Sequence, residues 1–553
     1  MGLHRIPGIV SWLVLGCILV AYIALVFHLT PTSFFGFTED DSIYFSSAKA
    51  LAEGKGYVLP SVPGTPPATK YPILYPWLLS WVWRWNPCFP VNLAGAVAVN
   101  AAFGCMFVVF AFLFLRSFTG IGGTGALVLT AVCALNPTTI FYSIQLMSDI
   151  PFAALVLAAC VLAKRVEQRN SSMSAALSGA LSGLAILVRV LGAPVAVGLG
   201  FAIALRSGWR KVAIFAASVF PFVAFTVWRS LAVAPKMVPT ALSTCSDTWS
   251  ITWLYYTNYT ALWKAQLLSA HVFWSTLWSN LGLCLLQPGD YFLDASVIRP
   301  EIVYMALLVI LSAVSIRGIV RNAQSSGLQE IHPALLLYLA PLLIWTYGSF
   351  GRFLIPFMPL MAGAIWVETD YLCNRIGASF NNVRAAGEKS LHALLSVARI
   401  GTGIAICVFL WRGNVLLAHA SQMRAELLKE KIEAYSWLKE NSPAEARFVA
   451  YEDGSAFLYS GRQGLRPAIL SPSGMHRPEI LNADLSCITS SAQAIGARYW
   501  IISDDDFGFE WEPAPSRAIS KQKEMEASLR QVFRSQHGGV RIYELVPEGQ
   551  PLI

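Results

Sequence analysis

Charge is what this 553-residue chain has least of: 13% of its residues are Asp, Glu, Lys or Arg, against roughly 25% in an ordinary soluble domain, and 55% are hydrophobic. A water-soluble globule is excluded, and lipid is the main solvent. Metal-ligand spacing is also lacking. No CxxC and no Cys/His pairing occurs, and five of the ten cysteines (Cys17, Cys105, Cys133, Cys160 and Cys407) fall inside apolar stretches, which removes a zinc site from consideration. Cys88 and Cys245 fall in loops assigned to the outside, where a disulfide and two free thiols both stay open. Acidic residues are outnumbered, 32 against 40, and the net charge of +8 sits in short basic clusters between apolar runs. That pattern sets membrane topology and gives no reason to invoke nucleic acid. Solenoid repeats and low-complexity segments are not evident.

What is present is a series of apolar runs. A hydrocarbon core about 30 Å thick takes about 20 residues of helix, and Gly8 to Leu29 fits; no small-residue cleavage site follows it, so it reads as a span and not as a signal peptide. Further spans are predicted at Leu93 to Leu115, Ile121 to Tyr142, Ile150 to Ala163, Met173 to Val188, Leu191 to Leu205, Val212 to Ala232, Ile302 to Ile316, Pro333 to Tyr347, Phe353 to Val367 and Leu391 to Trp411, eleven in all. With the N-terminus in the cytoplasm, Arg116, Lys164, Arg165, Arg169, Arg206, Arg210, Lys211, Arg317, Arg321, Arg375, Arg384 and Lys389 all fall inside, as the positive-inside rule requires. Two long segments then lie outside, residues 30–92 and 234–300. The second contains a Trp- and Leu-rich run, Val272 to Gln287, that reads as an interfacial or re-entrant helix.

An odd number of spans also puts the C-terminal segment outside. From about Ala420 its composition is that of a soluble domain: an amphipathic helix at Gln422 to Glu440, strand-like runs at Arg447 to Tyr451, Ala456 to Tyr459, Tyr499 to Ser503 and Val540 to Val546, and a polar helix near Ile519 to Val532. The expected architecture is an all-α polytopic membrane domain over residues 1–415, followed by a small extracytoplasmic α/β domain over 416–553.

The first outer loop carries the chemistry-bearing residues. It reads TEDDSIYFSSAKALAEGKGY from Thr38 to Tyr57 and KYPILYPWLLSWVW from Lys70 to Trp83. Glu39, Asp40 and Asp41 open a helix just after the first span, at the membrane surface. A structural role fits them, because Thr38 can cap that helix with Asp41 at its third position and acidic groups suit a helix N-terminus. The order Asp40, Asp41, Tyr44, Ala48, Leu51, a Gly-Tyr pair and a Tyr-Pro-rich stretch resembles the first outer loop of the GT-C membrane glycosyltransferases. The closest group looks like the dolichyl-phosphate-mannose protein mannosyltransferase-like family, glycosyltransferase family 39, with its aminoarabinose-transferase relatives. Ser148 to Phe152 resembles that family's Ser-Glu/Asp-x-Pro-Phe stretch, Arg189 an Arg just outside the fifth span, and Gly351 to Met361 its Arg-Tyr-Leu-x-Pro-x-x-Pro motif. The resemblance covers residues 8 to 412. Two departures stand out: Tyr71 occupies the place of a Lys in the aminoarabinose transferases, with Lys70 one residue earlier, and Asp41 stands where Glu is common.

The resemblance implies an inverting glycosyltransferase of a bacterial inner membrane, taking a sugar from a polyprenyl-phosphate donor to a lipid, glycan or protein acceptor. It implies a catalytic role for Asp40 and Asp41 and substrate binding by Tyr44, Lys70, Tyr71, Tyr75, Asp149, Arg189 and Arg352. The chemistry needs these residue types: a lipid phosphate is already a good leaving group whose charge needs cations, and the acceptor needs a positioned base. No cofactor is required, and a divalent ion could replace the arginine clamp. Plain alternatives stay beside these roles. Arg189, Arg352 and Arg399 also read as snorkelling side chains, the tyrosines as an interfacial belt, and Asp504, Asp505 and Asp506 as a solvated loop more readily than a metal site. The rival classes are a non-catalytic assembly partner and, chiefly, a transporter or lipid flippase, which places ionisable groups near the midplane, where this chain has almost none. The C-terminal domain matches none of the family motifs and is expected to be accessory.

Overall fold

The computed structural model describes residues 8–29, 31–38, 40–233, 270–293, 300–327, 329–345, 350–381, 388–466, 495–506 and 529–545, with a few single positions besides. Most of the chain is helical, and the helices pack as one bundle capped at one end by a sheet. α1 (Gly8–His28) is apolar throughout. Loop helices α2 (Asp40–Ala52) and α3 (Leu74–Trp85) follow, then α4 (Leu93–Arg116), α5 (Gly123–Ala134), α6 (Pro137–Ile144), α7 (Asp149–Arg169), α8 (Ser172–Val188), α9 (Gly192–Ser207) and α10 (Trp209–Ala232). Beyond them come α11 (Ala270–Asp290), α12 (Glu301–Ser326), α13 (Ile331–Leu343), the short α14 (Phe350–Phe353), α15 (Met358–Asn381) and α16 (Glu388–Asn441). Among the described residues, five helices are long and apolar enough to cross a membrane by length and composition: α1, α4, α10, α12 and α16.

The run expected as a single span, Ile121 to Tyr142, is two helices bent by 50°. The cause is local. Pro137 cannot continue a helix but suits its first turn, and Asn136 caps α6 by accepting the Thr138 N–H at 2.9 Å while its own amide donates to the Tyr291 carbonyl at 2.7 Å. The run Val272 to Gln287 lies within α11, packed on α12 and α13; Asn280 donates to the carbonyls of Leu342 and Trp345 at 2.9 and 2.8 Å, satisfying the open end of α13.

α16 runs for 54 residues without a break, so the last apolar run and the amphipathic helix expected separately are one element. The compositional change near Ala420 is real, but no proline marks it and the helix carries straight through. Beyond it stand β1 (Arg447–Ala450), α17 (Asp453–Ser460), β2 (Gln463–Leu465), β3 (Ala497–Ser503), β4 (Arg530–Arg534) and β5 (Val540–Glu544). The sheet order is β2-β1-β3-β5-β4, with β1 parallel to β2 and β3, and β5 antiparallel to β3 and β4. Ala456 to Tyr459, expected as a strand, belongs to α17, which ends at left-handed Gly461; so short an apolar run fits either period. The helix expected near Ile519 to Val532 gives way at its C-terminal end to β4, and the rest lies mostly outside the described residues.

Both faces of the sheet are covered, and this positions the site. Phe448, Ala450, Tyr499, Ile501, Val540 and Ile542 pack on Ala434, Tyr435 and Leu438 of α16. Val449, Trp500, Ile502, Tyr543 and Leu545 alternate with them and face the other way, into one core with Ile43, Tyr57, Leu59, Val62 and Ala68 of the first outer loop. The loop and the C-terminal domain therefore share a hydrophobic core.

Candidate active site

The first outer loop folds Asp40 and Asp41 into the protein. Both carboxylates are buried, at 7% and 0% exposure, and they face different partners. The expected cap does not form: the Thr38 hydroxyl donates to Met147 Sδ at 3.2 Å, while Asp41 Oδ2 accepts the Gly36 N–H at 2.9 Å and Oδ1 the Ser42 N–H at 2.6 Å. Asp40 turns instead toward cations. Tyr71 donates its hydroxyl to Asp40 Oδ1, Lys70 Nζ lies 3.6 Å from the same oxygen, and Arg352 Nη1 donates to Oδ2 at 3.2 Å. Arg352 arrives from α14, more than 300 residues along the chain.

A second group joins the first through Tyr44. Its hydroxyl shares a hydrogen bond of 3.0 Å with Ser148 Oγ, which also accepts from Arg189 Nε at 3.0 Å; Arg189 Nη1 pairs with Asp149 Oδ1 at 2.6 Å. Asp149 opens α7 and Arg189 closes α8. The Tyr44 ring meets Tyr71 and Tyr75 at 4.6 and 5.1 Å between centroids, and Phe353 lies beside both arginines, 5.3 Å from the Arg189 guanidinium and 5.2 Å from that of Arg352. Eight of the nine residues singled out in the sequence thus lie in one connected set, and Asp41 adjoins it only as the chain neighbour of Asp40, its carboxyl bonded to the Gly36 and Ser42 N–H groups. Sequence reasoning missed Asn100. Its carbonyl oxygen accepts from the Tyr75 hydroxyl at 2.8 Å and its amide donates to the Gln145 and Met147 carbonyls, fixing the chain just before Ser148. A lone amide inside the apolar run of α4 was the available signal.

Electrostatics separate the two acids. Burial pushes the Asp40 carboxyl up, but Lys70, Arg352 and the Tyr71 hydroxyl outweigh it, so the net shift is below the usual carboxylate range. Burial dominates at Asp41 and, opposed only by the two backbone N–H groups, raises its carboxyl to about 8; nearby Glu452 and Asp40 add to the rise. At neutral pH Asp40 is the ionised acid and Asp41 largely the neutral one. Lys70 is pushed down to about 7, chiefly by burial and against the pull of Asp40. The set holds three cationic side chains, Lys70, Arg189 and Arg352, against the carboxylates of Asp40 and Asp149. Three cations grouped around two carboxylates suit an anion. Among the described residues no group of three or more His, Cys, Asp or Glu side chains is placed to hold a metal.

Elsewhere, Arg541 pairs with Asp504 at 3.0 Å, Asp505 binds Arg424 and Lys431, and Asp506 Oδ2 accepts the Ser503 N–H at 2.9 Å. Asp504 is exposed, as in a solvated loop, whereas Asp505 is drawn into ion pairs and Asp506 is buried against the backbone. Cys88 is an exposed free thiol; Glu39, Cys245 and the side chain of Arg399 lie outside the described residues.

No protein-family model and no curated protein matches the chain. Solved structures do. The archaeal oligosaccharyltransferase AglB from Archaeoglobus fulgidus, in complex with an inhibitory peptide and a dolichol-phosphate, superposes with a TM-score of 0.52 at 13% identity, over 98% of this chain and 75% of that one. The Archaeoglobus fulgidus oligosaccharyltransferase in complex with Zn and sulfate gives a TM-score of 0.54 at 14% identity, over 89% of this chain and 68% of that one. ArnT from Cupriavidus metallidurans, bound to undecaprenyl phosphate, gives a TM-score of 0.50 at 10% identity, over 96% of this chain and 99% of that one. Identities this low speak to the fold alone, and on that ground the chain has the GT-C fold of membrane glycosyltransferases.

Proposed function

We propose that the protein is an inverting glycosyltransferase that moves a sugar from a polyprenyl-phosphate donor to a lipid, glycan or protein acceptor at the outer face of a bacterial inner membrane. The observation that carries this reading is the carboxyl group of Asp40 held between Lys70 and Arg352. Carboxylate and cations are both needed, and they lie within one hydrogen-bond length or so of each other.

The donor phosphate is drawn to Lys70, Arg352 and Arg189, with the arginines offering planar forks to its oxygens. Sharing those cations with the phosphate weakens their hold on Asp40, so its basicity rises when the donor arrives. The acceptor hydroxyl or amine then attacks the anomeric carbon from the face opposite the phosphate. A bond forms between acceptor atom and anomeric carbon, the bond from that carbon to the phosphate oxygen breaks, and the polyprenyl phosphate leaves with the electron pair. Asp40 takes the acceptor's proton. Back-side attack inverts the anomeric centre, and the cations hold the charge that develops on the leaving phosphate.

The charge distribution supports the outer placement. Asp149 opens α7 and Arg169 closes this 21-residue helix, about 30 Å away at 1.5 Å per residue, so the basic cluster of Lys164, Arg165 and Arg169 falls at the end opposite the site. Positive charge at that end supports a cytoplasmic placement for it. The purified protein, incubated with a panel of polyprenyl-phosphate sugars and acceptor extracts, should release polyprenyl phosphate and yield a glycosylated product by mass spectrometry. Movement of intact lipid between vesicle leaflets, with no transfer, would favour a flippase.

A further inference from the structure

The chain reaches Asp40 through a sharp turn at Gly36, whose φ is +92°. Two elements grip that turn. From one side Asp41 Oδ2 accepts the Gly36 N–H at 2.9 Å. From the other side α17 presses in so closely that a Cβ at Gly36 would stand 2.2 Å from Ser455 Oγ and 3.0 Å from Glu452 Oε2; only glycine fits both the dihedral and the space. The same helix touches α2 at Gly454, where a Cβ would lie 2.4 Å from Ser42 Oγ.

Glu452 is itself held by buried charges. Its Oε1 accepts from Lys431 Nζ at 2.6 Å and lies 3.5 Å from Arg424 Nη2. Both cations project from α16 and both also bind Asp505 Oδ2, at the end of β3, with Lys431 2.9 Å away. Arg424 continues to the turn, its guanidinium 4.3 Å from the Phe37 ring. Lys431 is only 2% exposed and Glu452 9%. A continuous path of contacts thus runs from the sheet through Asp505, Lys431 and Arg424 to Glu452, and from Glu452 and Ser455 through the Gly36 turn to Asp41 and the first residue of α2, which is Asp40.

Clusters of this kind confer little stability over an apolar equivalent, because desolvating the charges offsets their attraction. They do fix geometry, since each charge tolerates few positions of its partners. We propose that Glu452 and Ser455, contributed by the C-terminal domain, are positioning residues for Asp40: seated by Lys431 and Arg424, they lock the Gly36 turn and so aim the Asp40 carboxylate at the acceptor. Asp41 completes the lock from inside the loop. This rests on the reading of Asp40 as the base. It turns a domain with no family motif into part of the catalytic unit.

The test compares full-length Glu452→Gln, Gly36→Ala, Gly36→Ala/Ser455→Gly and Asp40→Asn, using transfer kinetics with the active donor from the panel, binding of undecaprenyl phosphate, and the melting temperature in detergent. Misplacing a catalytic group by about 1 Å can cost on the order of 100-fold in rate. Glu452→Gln should therefore lower kcat about 10-fold or more, with KM for the donor and Kd for undecaprenyl phosphate within about two-fold of wild type. Gly36→Ala should do the same, and adding Ser455→Gly should recover part of the loss by removing the clash. The Gly36 pair decides the matter if Glu452→Gln fails to insert. Wild-type kcat in Glu452→Gln and Gly36→Ala, beside an inactive Asp40→Asn, overturns the positioning role and leaves the base assignment standing. A loss in kcat matched by an equal loss of melting stability and of undecaprenyl phosphate binding also overturns it, as a general structural effect. Near wild-type turnover in Asp40→Asn removes the underlying reading of the site.

Discussion

Deleting residues 442–553 keeps all of α16 but removes the sheet and α17, and its cost follows from the core they share with the first outer loop. Ile43, Tyr57, Leu59 and Val62 are between 0% and 7% exposed because Val449, Trp500, Ile502 and Tyr543 cover them. Uncovering a large apolar side chain costs about 1.5–3 kcal/mol, so these four together forfeit roughly 6–12 kcal/mol. That rivals the roughly 5–15 kcal/mol net stability of a whole domain. The loop also carries Asp40, Lys70 and Tyr71, and losing that cover is expected to loosen their arrangement. An accessory domain could be lost with donor binding intact; this one should not be. Hydrogen exchange by mass spectrometry on the solubilised protein should show protection over residues 40–70 lost on truncation, with binding of undecaprenyl phosphate at least about 10-fold weaker. A monodisperse truncated protein that keeps both properties within about two-fold of wild type would refute the reasoning.

Asp41→Asn should lower turnover about 10-fold or more at pH 7, because an amide can accept only one of the two backbone N–H groups, of Gly36 and Ser42, through which Asp41 holds the turn leading to Asp40. Its raised folded-state pKa, about 8 against 3.8 unfolded, means that Asp41 contributes stability below pH 3.8 that is lost as pH rises toward 8. Melting curves at pH 5 and pH 8 should accordingly show wild type losing more stability than Asp41→Asn over that interval. Lys70, with its ammonium pushed down to about 7, should make undecaprenyl phosphate binding weaken between pH 6 and pH 9, and Lys70→Arg should flatten that dependence in a titration. Arg352→Ala removes the guanidinium 3.2 Å from Asp40 and should weaken the same binding about 10- to 100-fold, the worth of one or two charge-assisted hydrogen bonds.

The longest apolar helices were legible because a 20-residue apolar run has few other uses, whereas the eleven expected spans correspond to five helices of that length and composition among the described residues. α4 and α10 begin and end within a few residues of their expected bounds. The break at Pro137 was written in the sequence too, and was missed because the flanking runs together have span length. The C-terminal domain was harder. β2, three residues long, gives no periodic signal, and the apolar stretch in α17 serves a helix as well as a strand. In the site, the order of Asp40, Tyr44, Tyr71, Asp149, Arg189 and Arg352 along the chain pointed to their convergence only through resemblance, since nothing local ties Arg352 to a carboxylate 312 positions away. Glu452 and Lys431 were invisible for a related reason: a single acid or base in a mixed soluble sequence reads as surface, and only the packing of α17 and α16 buries them. The two adjacent acids, equivalent in sequence, are told apart by their partners, cations for Asp40 and backbone N–H groups for Asp41.

The most direct test of the central claim is the turnover of Asp40→Asn, measured beside its affinity for undecaprenyl phosphate. Asn keeps the size and much of the hydrogen bonding of Asp40 but has no basic oxygen. General-base catalysis contributes about 10²- to 10⁴-fold, so kcat should fall by at least about 100-fold. Binding of undecaprenyl phosphate should hold or tighten, because Lys70 and Arg352 lose the carboxylate that competes with the phosphate for them. A correctly inserted Asp40→Asn protein with near wild-type turnover, or one that loses affinity and turnover in equal measure, would contradict the account.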